Sequence, residues 1–430
     1  MWQIQLTVVY KQGVTTIAKF LWEVGSPLPP LSSHSDAKLR LIETYLTRYF
    51  PAILVNKAQD RQRITLVDGF CGGGRFEDKG RTVSGTPFLF LEAVEKAEAE
   101  ANLSRTKPLT IDAEFHFVDS VKEHIDHLQD ELRKKGHEAK IGKSIFLHHS
   151  SFEEIAPEIC RRIEARTKGF VGRSIFLLDQ KGYTDVAFET ARKILRFSAA
   201  ECILTFAVGW LIDYLNDSPQ TAKRVAPIEI TEDQIKDFLR VRGEFGGRYV
   251  IQRLLLRHIK AATGAHFQSP FFLRSQEARK DLWLVHLSNH LKARNVMVDS
   301  HWLINNQSLH QGHGGLEILG FDPNLDPVNA PNFWFGANDA SVMKERLAED
   351  FLRRLHQQNG ADVHYGKFVT SLANETPARL SDIDEVTSFL VSERELDLKN
   401  AGMAAKRTSV PVYKDIISVT RQPKLWSFDK

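Results

Sequence analysis

The segment Val67-Asp68-Gly69-Phe70-Cys71-Gly72-Gly73-Gly74-Arg75 follows directly on the short apolar run Ile64 to Val67 and places four glycines within six positions. Such an apolar run reads as a buried strand, and glycines after it permit a tight turn and close approach of a ligand to the backbone. A carboxylate at the strand end, here Asp68, is suited to orient a polar ligand. The segment therefore predicts a small-molecule pocket at the carboxyl edge of a sheet. Its spacing, Asp-x-Phe-x-Gly-x-Gly, differs from the dinucleotide fingerprint Gly-x-Gly-x-x-Gly, and no Gly-Lys-Ser/Thr ending marks a triphosphate loop. A glycine-rich turn without any ligand is the competing reading.

Working outward, strand-like and helix-like segments alternate, as in an α/β domain built on a mostly parallel sheet. Upstream, Ser33 or Ser35 is placed to cap a helix over Lys38 to Phe50, where Leu39, Ile42, Tyr45, Leu46 and Tyr49 recur at helical spacing. Downstream, Thr86-Pro87 opens an apolar helix. Further strands are expected at Ala113 to Val118, Ser144 to Leu147, Ser174 to Leu178 and Glu201 to Ala207. Asp119 ends the second strand; it suits a ribose diol, because a carboxylate is an acceptor-only group, and equally the N-cap of a helix beginning at Val121. The fourth strand runs into Asp179-Gln180-Lys181-Gly182-Tyr183, which offers Asp179 as acceptor or base and Tyr183 as a stacking face, or simply a capped loop.

From Asn216 to Gln268 the chain turns helical and basic, with a capping box at Thr231 and Gln234. Phe271 to Ser275 and Asp281 to Leu287 flank a polar turn, as a β-hairpin does. Lys236 to Arg294 carries twelve Lys or Arg against four acids, a local excess that attracts phosphates if the side chains share a face. Arg248, Arg253 and Arg257 are the candidate nucleic-acid contacts, and a solvated helical face is the plainer reading. A Gly-, Asn- and Pro-rich stretch, Asn305 to Asn338, precedes a connector helix at Ser341 to Gln358. The last segment, with a hairpin expected from Ile416 to Val419 and Leu425 to Phe428, fits a winged helix. The expected organisation is an N-terminal extension over 1–30, a Rossmann-like domain over 31–304 with a basic helical insert at about 216–268, a loop and connector over 305–362, and a small C-terminal α+β unit over 363–430.

Composition sets the outer bounds. The 430 residues, 42% apolar and 26% charged, suffice for two or three domains. No run of 18 or more apolar residues occurs, and Val14 to Val24 is broken by Lys19 and Glu23 without a small-residue cleavage site, which points away from a membrane span or secretory signal. Three scattered cysteines, Cys71, Cys160 and Cys202, exclude a disulfide framework and a four-cysteine zinc site and fit a reducing cytoplasm. Cys71 is an activated thiol only if a helix N-terminus lowers its pKa, and no pairing base stands near it in sequence. His310 with His313, and His286 with His290, have spacings seen in metal sites but no evident third ligand, so no metal is expected. The net charge of +3 proves no nucleic-acid partner.

The glycine loop, the Gly85-Thr86-Pro87 helix start, Asp119, Asp179 and Leu287-Ser288-Asn289-His290, taken in order, resemble the three-Cys-motif partner protein family (TcmP). Lys38-Leu39, Tyr45-Leu46, Val208-Gly209, Gly315-Leu316-Glu317 and Gly320-Phe321-Asp322 extend the likeness over about residues 33 to 325. The resemblance implies a class I, S-adenosylmethionine-dependent methyltransferase fold with one reversed strand near the end of its sheet. It also implies a radical-type partner protein carrying three cysteines, in bacterial mobile-element or defence neighbourhoods. Matched residue by residue, Asp68, Phe70, Gly72 and Gly74 fall on the first cofactor motif, Asp119 on the ribose-binding acid and Asp179 on the catalytic loop. Two positions depart from the family pattern. His149-Ser150 stands where Gly-Asp holds the adenine amino group, leaving Ser150 a single hydrogen bond to offer. Asp179-Gln180-Lys181-Gly182 stands where Asp-Pro-aromatic-Gly grips a target base. The expectation is an S-adenosylmethionine-binding protein acting on nucleic acid or a partner-bound substrate; the alternative is a nucleic-acid-binding adaptor that keeps the fold without the chemistry.

Overall fold

The computed structural model describes residues 22–168, 172–244, 246–275, 280–304, 310–311, 332–333, 336–358, 361–406 and 408–420. Helix α1 (Ser33–Ile53) is capped by Ser32, whose hydroxyl accepts from the Ser35 amide at 3.3 Å, so neither Ser33 nor Ser35 is the cap. Strand β1 (Arg61–Asp68) carries the apolar run and is nearly all buried, as a strand covered on both faces must be. Beyond the glycine loop, β2 (Arg75–Asp78) and β3 (Arg81–Ser84) form a hairpin that the sequence pattern did not announce. Helix α2 (Thr86–Asn102) starts with Gly85 as its cap instead of Thr86. Any side chain at Gly85 would meet the Gly74 carbonyl oxygen, at 2.9 Å from a Cβ there, while the Gly85 amide donates to that same oxygen at 2.8 Å.

The alternation continues through β4 (Thr110–Asp119), α3 (Lys122–Lys134), β5 (Ile145–His149), α4 (Phe152–Thr167), β6 (Arg173–Leu178), α5 (Phe188–Leu195) and β7 (Ala200–Phe206). Helices α6 (Val208–Tyr214), α7 (Pro219–Val225), α8 (Glu232–Arg242) and α9 (Gly247–Thr263) lead to the antiparallel pair β8 (Phe267–Ser275) and β9 (Lys280–Ser288). The capping box of Thr231 and Gln234 is present at the start of α8. These strands make one seven-stranded sheet ordered β5-β4-β1-β6-β7-β9-β8. β9 alone runs against its neighbours, pairing antiparallel with both β7 and β8. The chain leaves β1 toward β4 and β5 and later returns to β6 on the other side, so the carboxyl ends of β1 and β6 bound the crevice where open α/β sheets take ligands.

After α10 (Leu291–Ile304) come the short strands β10 (His310–Gln311) and β11 (Asn332–Phe333), which pair with each other. Most of the expected loop between them, with His313, lies outside the described residues, as does Leu425 to Phe428. The remaining elements are α11 (Ala337–His356), β12 (Val363–His364), α12 (Tyr365–Leu372), α13 (Leu380–Ser392), β13 (Leu396–Lys399) and β14 (Ile416–Val419). Here β14 is the centre of a three-stranded sheet ordered β12-β14-β13. Its described partners are thus β12 and β13, both earlier in the chain.

Two apolar clusters result, one from Ala37 to Met297 around the large sheet and one from Met343 to Ile417. They are joined through α10. The buried Arg294 guanidinium donates to the carbonyls of Ala378 and Thr376, and Trp302 Nε1 donates to the Pro377 carbonyl at 2.8 Å. Among the described residues no helix is long and apolar enough to cross a membrane.

Candidate functional site

Three neighbouring strand ends deliver an aspartate to the crevice. Asp68 closes β1, Asp119 closes β4, and Asp179 follows the last residue of β6. Burial distinguishes them. Asp68 is 2% exposed and, among the described residues, accepts only the Phe70 amide, at 3.1 Å. Loss of water, reinforced by the charges of Asp179 and Asp119 and opposed by the Phe70 amide, pushes its carboxyl up to about 8. Burial thus favours the protonated form of Asp68.

Asp119 is held in the opposite state. Partial burial works against its charge, but three donors overcome it: the Val121 amide at 2.8 Å and His124 Nδ1 at 3.1 Å on Oδ1, and the Gly72 amide at 3.0 Å on Oδ2. Its carboxyl lies below the ordinary range. The bond to Val121 is an Asx-type turn ahead of α3, whose N-cap is Val121 with no side-chain bond, so Asp119 is not the N-cap that its position suggested; the bond to Gly72 ties the glycine loop to β4. Among the described residues Oδ2 accepts only the Gly72 amide, which leaves it a second lone pair.

Asp179 is an ion-pair member. Lys38 Nζ, from the first turns of α1, lies 2.7 and 2.5 Å from its two oxygens, and the Thr205 hydroxyl donates at 2.6 Å. Loss of water opposes the charge, yet Lys38, Thr205 and His34 bring the carboxyl below its usual value. About a third of the side chain, 31%, faces solvent, so it stays accessible to a ligand. Gln180, where the resembled family has proline, points inward: its side chain donates to the Thr205 carbonyl and accepts from the Val186 amide, both at 3.0 Å. It clamps the loop to β7. Tyr183 is largely buried, its ring 6.1 Å from that of Phe206.

The glycine loop is filled from the N-terminal side. Gly72 and Gly74 have φ of +57° and +80°, which only glycine adopts without strain. A Cβ at Gly73 would stand 2.1 Å from Cγ of Trp22, and one at Gly72 would stand 3.0 Å from its Cη2. A Cβ at Gly74 would meet Leu128 instead. Trp22 is 8% exposed, donates from Nε1 to the Arg75 carbonyl at 2.5 Å, and packs edge-on against His124 with ring centres 4.9 Å apart. Phe70 is half-buried, its ring 6.4 Å from that of Phe152.

Ser150 donates its hydroxyl to Glu154 at 3.1 Å and its amide to the Asp119 carbonyl at 3.1 Å, directly ahead of the capping box of Ser151 and Glu154. Cys71 is buried, and loss of water raises its thiol well above the usual value, the reverse of activation. His286 bonds Glu201 at 2.8 Å while His290 bonds the Ser198 carbonyl, so the pair diverges. His310 lies on β10.

On α9, Arg248 pairs with Asp213 of α6 at 2.7 Å, Arg253 is half-buried and Arg257 exposed. Arg242 donates to the carbonyls of Ile212 and Leu215, both at 2.9 Å, and Arg294 is buried, so the basic residues of this region are dispersed. Lys38, Thr205 and Trp22 are site residues that sequence reasoning did not single out as such. For Lys38 the signal was the Lys38-Leu39 likeness; for Trp22 there was none.

No family model matches the chain, and no curated protein does. Similar solved structures include LPL1258 from Legionella pneumophila str. Philadelphia 1, of family-model DUF519, at 9% identity over 58% of this chain and 85% of that one, TM-score 0.30. Geranyl diphosphate methyltransferase, in complex with GPP and sinefungin, is similar at 11% identity over 56% and 77%, TM-score 0.23. PKMT2 from Rickettsia typhi is similar at 11% identity over 73% of each chain, TM-score 0.24. Likeness this distant transfers no chemistry.

Proposed function

We propose that this chain is a class I methyltransferase-like protein that binds S-adenosylmethionine at the carboxyl edge of its large sheet and acts on nucleic acid or a partner-bound substrate. The observation that carries the reading is the row of three aspartates on adjacent strand ends at the crevice beside β1. The donor set suits the ligand. A cation with a ribose diol meets three carboxyl groups, one of them already engaged by the Lys38 ammonium, and Asp119 offers an acceptor to a hydroxyl. The bound cofactor supplies a sulfonium-activated methyl group. The chain's own residues do the positioning. Asp68 gives up its proton when a cationic group enters, because a positive neighbour lowers a carboxyl pKa. Asp179, fixed by Lys38 and Thr205, keeps a lone pair on Oδ2 for an incoming N–H or O–H, which it would polarise.

Millimolar S-adenosylmethionine should raise the thermal midpoint of the wild type, since a ligand that binds the native state stabilises it, and should leave Asp119→Ala unmoved. Equal shifts in both proteins would remove Asp119 from the site. Asp179→Ala should abolish transfer while preserving that thermal shift.

The C-terminal unit favours a nucleic-acid role as a second reading. Its order α11-β12-α12-α13-β13-β14, with β14 central, supports reading this unit as a winged helix. Helix α13, in the recognition position, nonetheless presents Asp384 and Glu385 outward, which repels phosphates. Phosphate contacts are therefore assigned to Arg253 and Arg257 of α9, with Arg248 at the end nearest α6. Replacing Arg253 and Arg257 together by Glu should weaken DNA or RNA retention at moderate salt; an unchanged mobility shift would refute the assignment. By its likeness to the three-Cys-motif partner family, a radical-type protein carrying three cysteines is the proposed partner.

A further inference from the structure

The segment from Trp22 to Leu31 is a strap across the glycine loop. Its far end runs beside β2: the Leu31 amide donates to the Glu77 carbonyl at 2.8 Å, the Glu77 amide to the Pro29 carbonyl at 2.9 Å, and Pro30 bridges Glu77. Its near end is Trp22, whose indole covers Gly72 and Gly73 and touches His124, the residue that also bonds Asp119. The ring thus lies over the stretch of loop whose amide Asp119 holds. A nucleoside taken by the free lone pair of Asp119 has to enter beside Gly72 and His124, where the indole stands. At Gly72 and Gly73 the space that the missing side chains leave goes to Trp22 and to no open cradle.

We propose that Trp22 is an autoinhibitory plug: the strap closes the nucleoside half of the site, and the ligand binds when the indole leaves the glycine loop. This rests on the S-adenosylmethionine reading above. The closed strap reduces apparent affinity by the fraction of molecules that are open, so a strap closed in about nine molecules of ten weakens binding about tenfold. The described contacts that hold the indole include a hydrogen bond to Arg75 and edge-on packing against His124 and Phe76.

The test is calorimetric titration of the full chain with S-adenosylhomocysteine in three forms: wild type, Trp22→Ala and Trp22→Phe. The plug predicts a Kd at least about tenfold lower for Trp22→Ala and an intermediate value for Trp22→Phe, which keeps a ring but loses the N–H to Arg75. If the alanine variant melts poorly, the phenylalanine variant decides. Equal Kd values across the three overturn the plug and leave the cofactor reading standing. Weaker binding by the variants also overturns it, because Trp22 would then hold the ligand. Binding by none of the three at millimolar ligand overturns the cofactor reading, and the plug with it.

Discussion

Two buried carboxylates on neighbouring strands show how differently one sheet treats charge. Glu114, in the middle of β4, is 1% exposed, and burial alone would keep it neutral. His116 at 2.9 Å, Arg162 at 2.6 Å and Arg166 at 3.0 Å outweigh that cost and bring it down to about 2. Asp68, at the end of β1, is equally buried but has two further aspartates nearby and only distant help from Lys38, and its carboxyl rises to about 8. Glu114 is compensated by the chain that surrounds it, as charges serving the fold must be. Asp68 is left uncompensated at the carboxyl edge of the sheet, the edge at which open α/β folds take ligands, and perturbed groups of that kind gather at functional sites.

The largest effect should come from breaking the compensated region. Glu114→Ala leaves His116 and two arginines beside a buried void, and should cost about 3 kcal/mol in urea unfolding, the low end for a broken buried pair because Arg162 is half exposed. A loss below 1 kcal/mol would mean that the arginines simply turn to water. The folded pKa of Glu114 lies below its ordinary 4.5, so its contribution is complete above that pH and is lost as pH falls toward 2. Glu114→Gln should accordingly flatten acid unfolding over that window.

Asp68 has the opposite sign. Its folded pKa lies above its ordinary 3.8, so the native state is favoured fully below that value, and stability is lost as pH rises toward 8. Asp68→Asn keeps the acceptor for the Phe70 amide and removes the penalty. It should stabilise the protein by roughly 2 kcal/mol at pH 8 and by nothing near pH 4. A destabilised variant at pH 8 would show that a cation compensates Asp68 after all. The smallest effect concerns the helix that carries the arginines of Glu114. Ser151→Ala removes the side-chain cap of α4 and should cost about 1 kcal/mol, read as a lower thermal midpoint.

The same two regions explain what the sequence could disclose. The strand ends Asp68, Asp119 and Asp179 were legible because apolar runs stop at them, and the reversal at β9 because a polar turn separates two apolar runs. The β2–β3 hairpin was not. Its turn residues Lys79 and Gly80 both take positive φ, at 50° and 81°, but its strands are mostly half-buried or exposed and carry no alternation to read. Trp22 is out of reach of any local pattern, since its partner carbonyl lies 53 residues away. Lys38 meets Asp179 across 141 residues, a pairing set by the packing of α1 and not by spacing. Likewise the described partners of β14, β12 and β13, come from earlier in the chain, where no local pattern announced them.

The most direct test of the account is the pH dependence of S-adenosylhomocysteine binding, in wild type and Asp68→Asn. If the uncompensated Asp68 is where the cationic end of the ligand docks, binding releases its proton below pH 8. Kd should then fall about tenfold per pH unit from 6 to 8 and level off above, with the slope absent in Asp68→Asn. A wild-type Kd that ignores pH across this range would contradict the claim that the carboxyl edge holds the ligand through Asp68.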